Sequence, residues 1–239
     1  MKASLDARIA RAEELSKTYV SAGSLLGFYR ELALFQKTIS PVSDVRALAR
    51  YLPALVELVR RIGPAPLSAF NATVTPEDML QAYWEGQPPN DPVARFYAQV
   101  LLQPSAEHLA SRADIHSDLA NATCPFCSAR PVVAVLRGEG DGGKRSLLCS
   151  LCATEWLYRR VICPGCGEEN KDKLPIYLAA DFEHVRVDAC DTCQTYIKSV
   201  DLTKDGHAVP LVDELATVAL NIWAEEHGYS KLEPNLLGM

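Results

Sequence analysis

Residues 149–166 read Cys149-Ser-Leu-Cys152-Ala-Thr-Glu-Trp-Leu-Tyr-Arg-Arg-Val-Ile-Cys163-Pro-Gly-Cys166. Two Cys-x-x-Cys knuckles bracket a short run of aromatic and β-branched residues. Cys124-Pro-Phe-Cys127 lies upstream and Cys190-Asp-Thr-Cys193 downstream, so all 8 cysteines fall in such pairs. Two intervening residues let both sulfurs of a tight turn reach one ion at about 2.3 Å. Backbone amides of the turn can then point at the sulfurs and spread their charge. Four thiolates complete a tetrahedral ion, so the cysteines suffice for two sites with none left over. Sulfur-only tetrahedral sites take zinc or iron.

Which knuckles share an ion follows from what lies between them. The excursions from Cys127 to Cys149 and from Cys166 to Cys190 are of similar length, and each fits one strand–turn–strand. Cys149-Ser-Leu-Cys-Ala-Thr-Glu-Trp and Cys190-Asp-Thr-Cys-Gln-Thr-Tyr both place Thr two residues after the second cysteine, with an aromatic close behind. This pattern reads as a duplicated ribbon module. It favours sequential sites, Cys124/Cys127/Cys149/Cys152 and Cys163/Cys166/Cys190/Cys193. The rival is an interleaved cross-brace joining the first knuckle to the third. Gly167 suits a turn needing positive φ. Ser128, Ala153 and Gln194, in the same place after the other knuckles, are less telling.

Disulfides are the other use of eight cysteines. They belong to small secreted scaffolds, and Cys-x-x-Cys is poor spacing for a structural bridge. No apolar leader is seen in Met1–Leu15, and no apolar run approaches a membrane span. The expectation is a cytoplasmic chain without membrane insertion, in which the sequons at Asn71 and Asn121 carry no meaning. At 239 residues and 48% hydrophobic, there is ample material for a core. The net charge is -6. Most of the acidic excess lies in the cysteine half, and bound thiolates add to it, the opposite of a nucleic-acid-binding zinc module.

Outside the knuckles, residues 1–120 carry helical periodicity. Leu5, Ile9, Ala12 and Leu15 follow Ser4 as N-cap. Leu25, Leu26, Tyr29, Leu32 and Phe35 make a second stripe. Val45, Leu48, Leu52, Leu55, Val56 and Val59 make a third, which Pro53 must kink or divide. Thr75-Pro76 and Asp91-Pro92 are start signals, and Pro104-Ser105 reads as the start of one more short helix. Short strands are expected at 131–137, 145–148, 155–162, 174–179, 185–187 and 196–202, with Gly138–Gly143 as a hairpin turn rather than a phosphate loop. A final helix should turn Leu211, Leu215, Val218, Ala219 and Ile222 to the core, with Asp213 and Glu214 in its first turn. The four parts expected are a helical domain at 1–120, ribbons at 121–162 and 163–203, and a C-terminal helix and tail at 204–239 packing back on the core. The class is α+β.

No catalytic pair stands out. No nucleophile motif of the Gly-x-Ser-x-Gly type occurs, and His108, His116, His184, His207 and His227 lack ligand spacing. Alternation puts Trp156 and Tyr158 on one face of their strand, with Leu157 and Arg159 on the other. Trp156 is expected to pack between ribbon and helices, the alternative being an aromatic–basic contact surface. Tyr196 and Lys198 allow the same two readings.

The segments Cys149–Trp156, Arg159–Gly167 and Cys190–Lys198, with Val212–Leu220 and Pro234–Gly238, resemble the formate dehydrogenase accessory protein family, FdhE. The resemblance covers residues 121–239 well and the first half only in character. It implies rubredoxin-like centres associated with iron, zinc being the alternative. It also implies a cytoplasmic, non-catalytic maturation factor that binds the formate dehydrogenase catalytic subunit, a molybdenum or tungsten enzyme. The other classes open to the residues are a rubredoxin-like electron carrier and a nucleic-acid-binding zinc ribbon. Oligomeric state is not readable.

Overall fold

The computed structural model describes residues 3–70, 74–115, 119, 121–139 and 142–239. The Asn71 sequon, His116 and the tip of the Gly138–Gly143 turn lie outside them.

The chain begins as helices. Ser4 Oγ accepts from Ala7 N at 3.2 Å and starts α1 (Leu5–Thr18), which packs on α2 (Gly23–Thr38). The third stripe is divided: a 3-10 helix runs Val45–Tyr51, and α3 (Leu52–Ile62) starts with Pro53 in its first turn, where no amide donor is needed. The short α4 (Ala65–Ser68) leads to α5 (Pro76–Trp84) and α6 (Pro92–Ala110), capped by Thr75 and Asp91.

Pro104 does not start a new helix. It sits inside α6, which runs on unbroken. Proline at this position leaves the Val100 carbonyl without its helical donor. Gln36 of α2 supplies one, its Nε2 donating to Val100 O at 3.0 Å. A tertiary contact thus repairs what the local signal would have broken.

The cysteine half forms one sheet of β1 (Pro131–Glu139), β2 (Gly142–Cys149), β3 (Glu155–Leu157), β4 (Ile176–Leu178), β5 (Val185–Cys190) and β6 (Thr195–Asp201), to which β7 (Ser230–Lys231) adds. The order is β3-β2-β1-β6-β5-β4, with β7 beside β6. Each module is an antiparallel three-strand meander in the same order, as a duplication requires. The parallel pairing of β1 with β6, Val133 opposite Lys198 through Leu136 opposite Asp201, joins them into one surface. The strand expected at 155–162 stops at Leu157. Arg159 N instead bonds Leu119 O and the chain leaves the sheet.

On one face of the sheet Val133, Val135, Val187, Ala189 and Val200 form a core with Leu220 and Ala224. On the other, Ala134, Leu147, Trp156 and Ile197 belong to the larger core that includes the helices.

The last helical segment is broken into α7 (Pro210–Ala216) and α8 (Val218–Glu226). The cause is Lys198, fully buried, whose ammonium donates to Glu214 O at 2.5 Å and Thr217 O at 3.2 Å, both carbonyls at the end of α7. The break shifts the phase of the stripe. Val212, Leu215, Leu220 and Ala224 are buried, whereas Ile222 is 55% exposed. Asp213 and Glu214 are wholly buried rather than solvated.

Candidate metal centres

Each knuckle begins at a strand end or a loop and closes in the same way. The residue after the second cysteine takes positive φ: Ser128 at 61°, Ala153 at 49°, Gly167 at 79° and Gln194 at 54°. Among the described residues, those first, second and fourth are the only positive-φ positions that are not glycine. The turn also ties its first cysteine to the residue five further on. Cys124 N bonds Ala129 O, Cys149 N bonds Thr154 O and Cys163 N bonds Glu168 O, each at 2.9 Å. The fourth knuckle has Cys190 opposite Thr195 in the β5–β6 ladder.

The structure gathers the cysteines sequentially. The sulfurs of Cys124, Cys127, Cys149 and Cys152 lie within 4.8 Å of one another, as do those of Cys163, Cys166, Cys190 and Cys193. The interleaved arrangement does not form. Neighbouring sulfurs are 3.5 Å apart for Cys124–Cys152 and 3.4 Å for Cys127–Cys149. Cys163–Cys193 and Cys166–Cys190 are each at 3.7 Å. A disulfide would need about 2.05 Å. A tetrahedral ion with metal–sulfur bonds of about 2.3 Å would set its ligands about 3.8 Å apart. The donor set therefore fits one metal ion per group, and each group could hold one.

Amides and hydroxyls support the sulfurs. Phe126 N points at Cys124 Sγ at 3.4 Å, Leu151 N at Cys149 Sγ at 3.4 Å, and Gly165 N at Cys163 Sγ at 3.2 Å. The repeated threonines have a matching place. Thr154 Oγ1 is 3.1 Å from Cys152 Sγ, and Thr195 Oγ1 is 3.0 Å from Cys193 Sγ. Without an ion, burial pushes the Cys163 thiol up to about 12. Burial acts the same way on Cys193, but Thr195 and the neighbouring sulfurs outweigh it and bring that thiol down to about 7.

The two groups differ in their surroundings. In the first, Cys124, Cys149 and Cys152 are buried within the core shared with the helices. Gln99 and Gln103 of α6 both donate to Ser150 O at 3.0 Å, so α6 holds the second knuckle from behind. In the second, Cys166 is exposed and Cys193 is half-buried.

Trp156 and Tyr158 are each 3% exposed, on the face away from exposed Leu157 and Arg159. Trp156 Nε1 donates to Asn121 O at 2.7 Å and packs in the helix-side core. Tyr196 and Lys198 are buried too, so none of the four is a contact surface. Of the histidines described, none joins a cysteine group. His184 does meet Asp205 and Asp213 at ligand-like distances. Arg11 of α1 fills that position, donating to Asp213 at 2.6 and 3.1 Å and to Asp205 at 2.5 Å. This cluster is an ion pair between α1 and α7.

Sequence reasoning missed the buried charge on α7. Glu214 bonds Lys198 at 2.9 Å, Lys231, and Asn235 Nδ2 at 2.9 Å. Nothing local distinguishes Asp213-Glu214 from an ordinary acidic helix start. The only available signal was Lys198 within a strand otherwise made of core residues.

Comparison with known proteins agrees with this architecture. Residues 123–160 match the family model for the FdhE central domain, and residues 161–237 match that for the FdhE C-terminal domain. A protein FdhE homolog of Aquifex aeolicus is 36% identical over 151 residues, which are 62% of this chain and 53% of that one. One from Pseudomonas aeruginosa is 40% identical over 120 residues, 48% of this chain and 38% of its own. The chain thus covers about half or less of these relatives' length. The crystal structure of the FdhE protein from Pseudomonas aeruginosa matches with TM-score 0.77 at 25% identity, over 99% of this chain and 97% of that one. Both cysteine modules thus match the FdhE domain models, and the whole chain, helical part included, is similar in fold to the FdhE protein from Pseudomonas aeruginosa.

Proposed function

We propose that this protein is a cytoplasmic, non-catalytic accessory factor that binds the formate dehydrogenase catalytic subunit during its assembly. The carrying observation is that two closed four-sulfur groups consume every cysteine, in a chain whose cysteine half matches the FdhE domain models. Four-thiolate sites with no open position are usually structural. The eight ligands are Cys124, Cys127, Cys149, Cys152, Cys163, Cys166, Cys190 and Cys193, with iron the favoured ion and zinc the alternative. The metal supplies a cross-link between knuckles, and iron would add a one-electron couple. The residues do the rest: Thr154, Thr195 and the knuckle amides hold the sulfurs, and α6 holds the first site against the helices. The acidic cysteine half speaks against a nucleic-acid partner.

A tagged full-length chain should co-purify with the catalytic subunit, and a deletion strain should lose formate dehydrogenase activity. Normal activity in that strain would contradict the reading. The exposed Cys166 favours one second reading, a rubredoxin-like electron carrier. A reversible visible absorbance without any captured subunit would support it.

A further inference from the structure

Beside the second cysteine group lies a cleft of about 210 Å³. It opens on the sheet face away from α8, where Ile176 and Leu178 of β4 stand opposite Asp188 and Arg186 of β5. Three large apolar side chains are exposed here, Val161, Ile176 and Leu178, at 51%, 53% and 69%. Val161 and Ile176 line the cleft itself. Isolated exposed apolar residues are ordinary, but a cluster around a concavity marks a contact site.

The polar lining is cationic in an otherwise acidic half of the chain. Arg160 and Lys171 are exposed at the cleft, and Arg186 and Arg145 line it from within. Among the described residues that line the cleft, Asp188 is the one acid. It is already engaged by Arg186 Nε at 2.8 Å and Ser199 Oγ at 2.6 Å. Arg145 is 4% exposed; its guanidinium donates to Ile162 O at 3.1 Å and lies 3.6 Å from Asp188, so only its Nε lacks a partner among the described residues.

The backbone completes the site. Among the described strands β4 ends the sheet, paired on one side to β5 only. An open edge with apolar side chains accepts an added strand, and its flanking pockets choose the side chains.

We propose that this cleft and the free edge of β4 dock an extended segment of a client protein that presents apolar and acidic residues together on one face. The added strand would pair with Ile176–Leu178 and, from the one face it turns to the cleft, set apolar side chains against Val161, Ile176 and Leu178 and carboxylates against Arg160 and Lys171. This rests on the accessory-factor reading and names the surface that serves it.

The test is fluorescence anisotropy with the full chain and two labelled peptides in which every second residue is threonine and the residues between alternate leucine with glutamate in one and leucine with lysine in the other, so that both kinds share one face of the strand. The leucine–glutamate peptide should bind, more weakly at high salt, and the leucine–lysine peptide should not. Arg160→Glu combined with Lys171→Glu should weaken the first by roughly tenfold and admit the second. Leu178→Lys should abolish binding while the thermal melt stays that of the parent. Equal binding of both peptides, or binding indifferent to these substitutions, would overturn the proposal. So would a concentration-dependent dimer abolished by Leu178→Lys, since the edge would then serve a second copy. Capture of the catalytic subunit separates this proposal from the broader reading. If the parent captures it and the charge-reversed variant captures it equally well, the cleft is wrong and the accessory role stands. If the parent captures none, the accessory role falls and the peptide titrations still judge the cleft.

Discussion

At Ser128, Ala153, Gly167 and Gln194 the backbone makes the same left-handed step, and at three of them it does so without glycine. That step costs an ordinary residue roughly 1 kcal/mol, so it persists because the sulfurs on either side must converge. The knuckles were legible because their information is local: spacing, and for Gly167 the residue type. The paired threonines were legible as a repeat but not as a role, since nothing in Thr154 or Thr195 says where its hydroxyl points. The structure puts both hydroxyls within hydrogen-bond reach of the last sulfur of their group. Thr195→Val keeps the shape and removes that contact. It should weaken metal retention by roughly tenfold in competition with a chelator, as loss of an outer-shell partner does. Unchanged retention would show the hydroxyl to be a packing group only.

Helix α6 shows why element boundaries escape local reading. Pro104 is a sound stop signal, overridden by one amide from α2. Gln36→Leu should therefore cost about 1–3 kcal/mol in urea denaturation, the penalty of an orphaned carbonyl. Adding Pro104→Ala restores a helical donor to Val100 O, so the pair should recover most of the loss. Additive effects would contradict this explanation. Helix α7 escaped for a related reason: charged residues default to the surface, and only tertiary context buries Asp213 and Glu214. Burial would raise the Glu214 carboxyl, but Lys198 and Lys231 outweigh it and bring it down to about 2 from an ordinary 4.5. Lys198 is instead lowered to about 8, because complete burial and Lys231 outweigh its one counter-charge. A depressed carboxyl stabilises the fold above its ordinary value and ceases to do so as pH falls through the depressed one. Glu214→Gln should thus be less stable by about 3 kcal/mol at neutral pH. The gap should close as pH falls from 4.5 toward 2. A pH-independent gap would mean that shape, not charge, matters at this position.

On the scale of the whole molecule, the duplicated modules act as one body because β1 and β6 pair in parallel. That pairing was not legible: it links strands far apart in sequence and leaves no local mark on either. The helical half was legible as helices, and its attachment through Gln99, Gln103 and Arg11 was not. The attachment makes the two cysteine groups unequal, one packed against α6 with only Cys127 partly exposed and one reaching the surface at Cys166. A chelator should accordingly empty the second group first. The central claim, two independent four-thiolate centres formed sequentially, is tested most directly by elemental analysis of the full chain purified without oxygen. Parent protein should carry two ions per chain. Replacing Cys124 and Cys127 by serine, or Cys163 and Cys166 by serine, should leave one. A parent holding a single ion, or a variant losing both when either knuckle is removed, would contradict it.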